Sequence, residues 1–566
     1  MRNLGEVHAA DVVILGGGIA GLIAAIRYKE LAPNLDVLIV EKSTTGFSGS
    51  KANKGAGVVW VMTEDDDIDT FRDFYVREVG KGLEDQDLLE RVCVVSREMI
   101  GHLERWGIRI MREEDGKLAR APGLPLWSLC AFDLDIMEKL RKAVVRLGVR
   151  TVDKTQSVEL LTSRDGRRVT GAVGFDLIDG SFKIFKGKAV VLATGTCCWM
   201  VAHMWSAARG DGIAAAYRAG AEMRNAEFSN FFNLGLRGNM ATPVGGQYAL
   251  YNEEGEYLAP KYCKDGEIDI DIGILLGMEK EVMEGKGPIR LEETELFIQN
   301  PLGVGGFLFR WDRPYAKKFW SKAFEKEERY MADPAWRPEV IPLFIGECSP
   351  VKTDHSMKTT LEGLWALGDT NRAGTCWNGA VPSPGRLRGT GVTWAGVSAL
   401  LSAESLTAYA AGADQPDVSE DQVARFKEEI YAPMARETGP SPREAISKLK
   451  DVIAPPRFAV RKSRERIEEA LATARSVGEQ VRSEVSPAKD WHLLGLTLDA
   501  RNMAQCAEIY YESALHRTES RGWHYREDHP ERDDARWRKW VVVRQVDGKP
   551  AVSTEEIPFQ RYKTKI

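Results

Sequence analysis

The stretch DVVILGGGIAGLIAAIRYKEL, from Asp11 to Leu31, restricts this chain more than any other: an apolar strand runs through three consecutive glycines straight into a helix. That order predicts a parallel α/β sheet holding a dinucleotide at a strand end. Gly16 makes the tight turn, Gly18 leaves backbone bare for a pyrophosphate, and Gly21 lets the helix lie close on the sheet. Ile19 and Ala20 open the helix, where unpaired N–H groups and the helix dipole attract phosphate. A second strand, DVLIVEK, ends in Glu41 and Lys42, placing an acid where it accepts hydrogen bonds from a ribose.

The motif by itself leaves NAD and FAD open. Two distant segments extend it: KAVVLATG is a strand ending in Ala193, Thr194 and Gly195, and GLWALGD ends in Gly368 and Asp369, an acid suited to a ribityl chain. One nucleotide domain is therefore expected from residues 1–230 and 346–410, with 231–345 inserted as an α+β cap. A polar linker then leads to a helical domain over 420–540, and a hairpin or tail over 541–566 turns at Asp547-Gly548. The expected class is α/β, a Rossmann-like domain with these additions.

A chain of 566 residues is too long for one core. Its 77 basic and 83 acidic residues give a net charge of -6, which argues against nucleic acid as a partner. The longest apolar runs fall short of the ~18–20 residues that span a bilayer, so no membrane span is expected. The N-terminus enters a strand without the pattern of a signal peptide, and a cytoplasmic location is expected. The eight cysteines form no CxxC and no Cys/His spacing for zinc or an iron–sulfur cluster, so no metal site is expected in this chain.

The pieces VVILGGGIAGLIAAI, VEKS, VVLATG, ARGDGIAAAYRAGAEM, LEGLWALGD, GRLRGTG and ALHRTESRGWHYREDHPERDD run the length of the chain in one order. In them the chain resembles the flavoprotein subunits of the succinate dehydrogenase and fumarate reductase family, which includes L-aspartate oxidase and the adenylylsulfate reductase alpha subunit. The resemblance implies extended FAD, with Glu41, Asp211 and Asp369 at its ribose, ribityl and related polar groups. It also implies a capping domain over the isoalloxazine, backbone from Gly391 and Val392 at the pyrimidine edge, and a C-terminal helical domain. The small residues Ser48, Gly49, Ser50 and Gly55 fit a backbone lying along the cofactor.

The departures are as informative. Many members attach the flavin to a histidine after the second strand, whereas no histidine lies between Ser43 and Trp60 here, which implies non-covalent FAD. Phe232 and Asn233 stand where the fumarate enzymes carry His-Pro, EIDIDIGILL lacks their proton-delivering arginine, and Cys348 replaces a substrate histidine. Fumarate reduction needs a positioned proton donor, so the resemblance is nearer to the adenylylsulfate reductase branch. Arg237 with TPVGG after it, and Asn53 where that branch sets an asparagine facing the flavin, agree with this, although that branch has a histidine at Cys348.

Arg386 falls at the family's substrate arginine and would hold a carboxylate, sulfate or phosphate bidentately. Arg388, two residues on, points the other way if the segment is extended. His355 reads as an acid or base, or as part of a surface turn. Cys348 reads as a redox thiol or a small buried hydrophobe. The expected function is an FAD-dependent oxidoreductase passing electrons between a small anionic substrate at the flavin N5 and a ferredoxin-like iron–sulfur subunit. The alternatives are carboxylate chemistry like that of fumarate reductase or L-aspartate oxidase, the latter with oxygen as acceptor, and a plain FAD electron relay.

Overall fold

A computed structural model describes residues 1, 3–49, 57–121, 129–201, 208–230, 232–237, 239–243, 250–263, 272–291, 311–319, 321, 339–371 and 390–566. Its centre is a seven-stranded sheet of β1 (Glu6–Leu15), β2 (Val37–Val40), β3 (Arg150–Val152), β4 (Thr155–Thr162), β5 (Val169–Asp176), β6 (Phe182–Leu192) and β7 (Leu364–Ala366). The order is β3-β2-β1-β6-β5-β4. The β3, β2, β1 and β6 strands run parallel, and β5 and β4 continue as an antiparallel meander.

One edge of β6 is shared between two partners. Its first half pairs with β5, and its end, Val190–Leu192, takes β7 in parallel. Thus Leu364–Ala366 joins the sheet from far along the chain.

Val12, Val13 and Ile14 are all fully buried, so β1 is covered on both faces. Helices α1 (Ile19–Leu31) and α3 (Thr390–Gly412) pack on each other, joined by a buried 2.7 Å hydrogen bond between the Tyr28 and Ser402 hydroxyls. Against α3 packs α2 (Gln86–Arg105); a Cβ on Gly396 would come within 2.2 Å of Met99 Sδ, so any side chain there would have to displace Met99.

The inserted segment forms a three-stranded antiparallel sheet, Asn239–Pro243, Phe232–Leu236 and Val340–Phe344, together with the helix Ile272–Met283. It docks through buried Arg313, which donates to the carbonyls of Gly57 at 3.0 Å and Phe132 at 3.2 Å.

The C-terminal region is a bundle of α4 (Glu420–Tyr431), α5 (Pro442–Ile453), α6 (Arg464–Ser483) and α7 (Trp491–His516). Each begins where a side chain caps it: Ser419, Ser441, Ser463 and Asp490 accept the N–H three residues on. The strands Lys539–Val546 and Lys549–Glu556 meet at Asp547-Gly548, both with positive φ (50° and 75°), the two-residue turn that matches strand twist. That hairpin pairs with Met223–Arg224, tying the end of the chain to the nucleotide domain.

The charged C-terminal segment is built around a buried ion network. Arg517 Nε meets Glu227 at 2.7 Å and its Nη1 meets Glu519 at 2.9 Å, while Arg521 also binds Glu519, all four side chains having no exposure. No helix of the described residues is long and apolar enough to cross a membrane.

Candidate functional site

Four strand ends and two helix starts converge at the carboxyl edge of the sheet. Gly16, at φ 110°, presses on the turn after β6: a Cβ there would lie 2.3 Å from the Ala193 carbonyl oxygen. At Gly21 a Cβ would lie 2.1 Å from the Gly16 oxygen, so the first turn of α1 sits directly on the loop. Gly18 differs, because a Cβ would meet only Gly49 Cα, at 3.9 Å. Gly16 and Gly21 are thus required by packing, whereas at Gly18 the protein leaves room beside bare backbone and the N-terminus of α1, a cradle suited to a pyrophosphate.

Glu41, 5% exposed, accepts the Gly17 N–H at 2.6 Å and the Ser43 N–H at 2.7 Å. Those bonds fix its carboxylate at the end of β2, and each oxygen keeps a lone pair for a ribose hydroxyl. Ser48 and Gly49 follow on the loop that faces Gly18.

The end of β7 closes the crevice. A Cβ on Gly368 would lie 3.1 Å from Ala20 Cβ, its N–H donates to Ser398 Oγ at 2.9 Å, and its carbonyl accepts from Trp394 Nε1 at 2.9 Å. Thr370 Oγ1 donates to the Gly195 carbonyl at 3.1 Å and lies 3.5 Å from the Thr194 hydroxyl. These bonds hold Gly368–Asp369, Ala193–Gly195 and the first turn of α3, with Gly391 and Val392, around one space. The residues present fit an extended dinucleotide.

Lys42 and Asp211 point to a different neighbour. Lys42 Nζ bridges Asp211, at 3.3 Å, and Asp499 of α7. Gln156 donates to Asp499 at 2.9 Å, and Asn502 donates to Asp211 at 3.0 Å. Burial opposes the charge on Lys42, but the Asp211 and Asp499 carboxylates override it and raise its pKa. Burial likewise raises the pKa of Asp499, which shares the lysine. The cluster locks the C-terminal bundle to the loop beside Glu41. Asp499, Gln156 and Asn502 carry no sequence signal, since their roles depend on a contact across hundreds of residues.

The remaining expected residues are dispersed. His355 Nε2 lies 2.9 Å from Asp85 at the start of α2. Exposed Arg237 pairs with Glu339 at 2.7 Å on the inserted sheet. Cys348 is fully buried; its backbone exchanges hydrogen bonds with Cys197, and its thiol joins those of Cys197 and Cys506. Hydrogen bonding to those two thiols, with burial, drives the Cys506 pKa up. Arg386, Arg388, Asn53, Ser50 and Gly55 lie outside the described residues.

Comparison with known proteins agrees with this geometry. The FAD binding domain profile matches residues 11–238, and the fumarate reductase flavoprotein C-terminal profile matches 449–566. An L-aspartate oxidase of Streptomyces coelicolor is 26% identical over 98% of this chain and 95% of its own. The fumarate reductase flavoprotein subunit of Mycobacterium tuberculosis is 27% identical over 98% of each chain. The structure of adenylylsulfate reductase from Archaeoglobus fulgidus superposes with a TM-score of 0.78 at 20% identity over 98% of this chain and 96% of its own, a likeness of fold that does not choose a substrate. Profiles at both ends of the chain, full-length relatives and a crevice shaped for a dinucleotide make this chain an FAD-dependent oxidoreductase of the succinate dehydrogenase and fumarate reductase flavoprotein family.

Proposed function

We propose that the chain is a flavoprotein subunit that binds FAD without a covalent bond and moves electrons between a small anionic substrate and an iron–sulfur partner, in the manner of adenylylsulfate reductase. FAD, when bound, supplies hydride or electron-pair transfer. Glu41 and the bare backbone at Gly18 hold its ribose and pyrophosphate ends, and Gly391 and Val392 at the start of α3 offer N–H groups to its other end. Arg386 is the proposed ligand of the anionic substrate.

The observation that carries this reading over fumarate chemistry is the setting of Phe232. Where the fumarate enzymes have a histidine, this ring is 1% exposed, stacked on Trp523 with centroids 6.0 Å apart and edge-on to Phe344 at 5.1 Å. The ring lies in aromatic core, and a phenyl group itself has no proton to deliver. Cys348, at the other substitution, is a fully buried thiol packed against Cys506. The sequence contains no CxxC with which to hold a cluster of its own, in keeping with a separate iron–sulfur partner.

The test is anaerobic reduction of the purified holoprotein followed by addition of adenylylsulfate, sulfite or fumarate, with flavin reoxidation read by absorbance. Reoxidation by a sulfur oxyanion and not by fumarate, lost in Arg386→Gln and kept in Arg388→Gln, is expected. Rapid reoxidation by fumarate would replace this reading with carboxylate chemistry. Denaturation should release all the yellow cofactor, and colour retained on the polypeptide refutes non-covalent attachment.

A further inference from the structure

At the β4 edge of the central sheet, a cleft of about 840 Å³ opens between β4, the end of the helix Asp211–Arg218, and the helices α4, α6 and α7. Its volume lies in the range of small-ligand sites. Among the described residues, every cation lining it is an arginine: Arg218, Arg425, Arg436, Arg475, Arg482 and Arg501. Against these six stand four carboxylates, Glu159, Glu429, Glu479 and Glu508.

The pairing inside the cleft leaves positive charge over. On the floor, Arg218 and Arg501 share the single carboxylate of Glu159, at 2.9 and 2.7 Å. On the wall, Arg475 is matched by Glu508 at 2.8 Å and by Glu512, and at the mouth exposed Arg425 has only the looser 3.7 Å pairing with Glu429 one turn along α4. Arg436 spends its donors on the carbonyls of Val481, at 2.9 Å, and Val485, at 2.6 Å, capping the end of α6 without neutralising itself. Among the described residues, no carboxylate comes within ion-pair distance of Arg436 or Arg482. A surplus of guanidinium groups in a half-enclosed cleft, with no lysine, suits oxygens presented in planar pairs more than a diffuse counter-ion.

We propose that this cleft binds a small molecule bearing two or more phosphate groups, contacted by Arg425 and Arg482 at the mouth and attracted by the Arg218–Arg501 floor. The site also has a route to the cofactor. Arg218 Nη1 donates to Asn502 Oδ1 at 3.1 Å, Asn502 donates to Asp211 at 3.0 Å, and Asp211 binds Lys42, next to Glu41. This inference does not depend on which substrate the flavin serves.

The test uses FAD-loaded protein, so that the nucleotide crevice is filled, and titrates inorganic pyrophosphate by calorimetry. Saturable one-to-one binding is expected, weakened about tenfold or more in Arg425→Gln/Arg482→Gln and unchanged in the charge-matched control Lys142→Gln/Arg146→Gln. All four substituted residues are exposed, so the melting temperature should match the parent. The proposal is overturned by absence of saturable binding, by the same heat from sodium chloride at matched ionic strength, or by undiminished binding in Arg425→Gln/Arg482→Gln.

Discussion

Replacing Gly18 by alanine should cost cofactor and not fold, and replacing Gly21 should do the reverse. At Gly18 the backbone is extended, φ −75° and ψ −173°, which alanine adopts without strain, and the added methyl would meet nothing nearer than 3.9 Å. Alanine is a poorer N-cap than glycine by roughly 0.5–1 kcal/mol, but it lowers unfolded-chain entropy by about as much. The net change should stay within about 1 kcal/mol, or roughly 2–4 °C. The methyl instead occupies the space left for phosphate. Losing two charge-assisted N–H bonds of about 1.5 kcal/mol each weakens FAD binding by roughly 100-fold.

At Gly21 the same methyl would lie 2.1 Å from the Gly16 oxygen, about 1 Å inside normal contact, so the helix must lift from the loop. Overpacking of that kind costs about 1–3 kcal/mol or more. Stability is read by thermal melting of the apoprotein, and affinity by flavin fluorescence quenching on titration of FAD into it. If Gly18→Ala keeps FAD affinity within about threefold, or melts as low as Gly21→Ala, the assignment of separate roles to the two glycines is refuted.

Two further outcomes follow from the buried charges. Arg517→Ala strands buried Glu227 without its cation and leaves Glu519 to Arg521 alone, and should cost about 3–5 kcal/mol in guanidinium denaturation; a loss under about 1 kcal/mol would mean the network is not desolvated in solution. Lys462, fully buried, donates to the carbonyls of Ala459 and Trp523, at 3.3 and 3.4 Å, and burial, with the Arg526 charge, pushes its pKa down to about 7. The unfolded amine keeps its proton to about pH 10.4, so between 7 and 10.4 the unfolded chain binds more protons and native stability rises with pH. Lys462→Met should therefore stabilise by about 1–4 kcal/mol at pH 7 and by less near pH 10. A gain independent of pH, or a loss at pH 7, refutes the buried-amine account.

What sequence alone determined here is local or short-range in cause. The strand, glycines and helix from Asp11 to Leu31 dictate a phosphate-binding turn because glycine alone tolerates the close approaches at Gly16 and Gly21. The Asp547-Gly548 pair dictates its hairpin because both positions need positive φ. Helix starts at Ser419, Ser441, Ser463 and Asp490 follow from caps three residues away. Tertiary structure alone decided that Lys42 and Asp211 answer to Asp499, that Phe232 lies in an aromatic core, and that six arginines from several elements face one cleft. Those meetings depend on how sheet and bundle pack, a choice made by the summed burial of many side chains. No local pattern records which distant charge will be desolvated beside which.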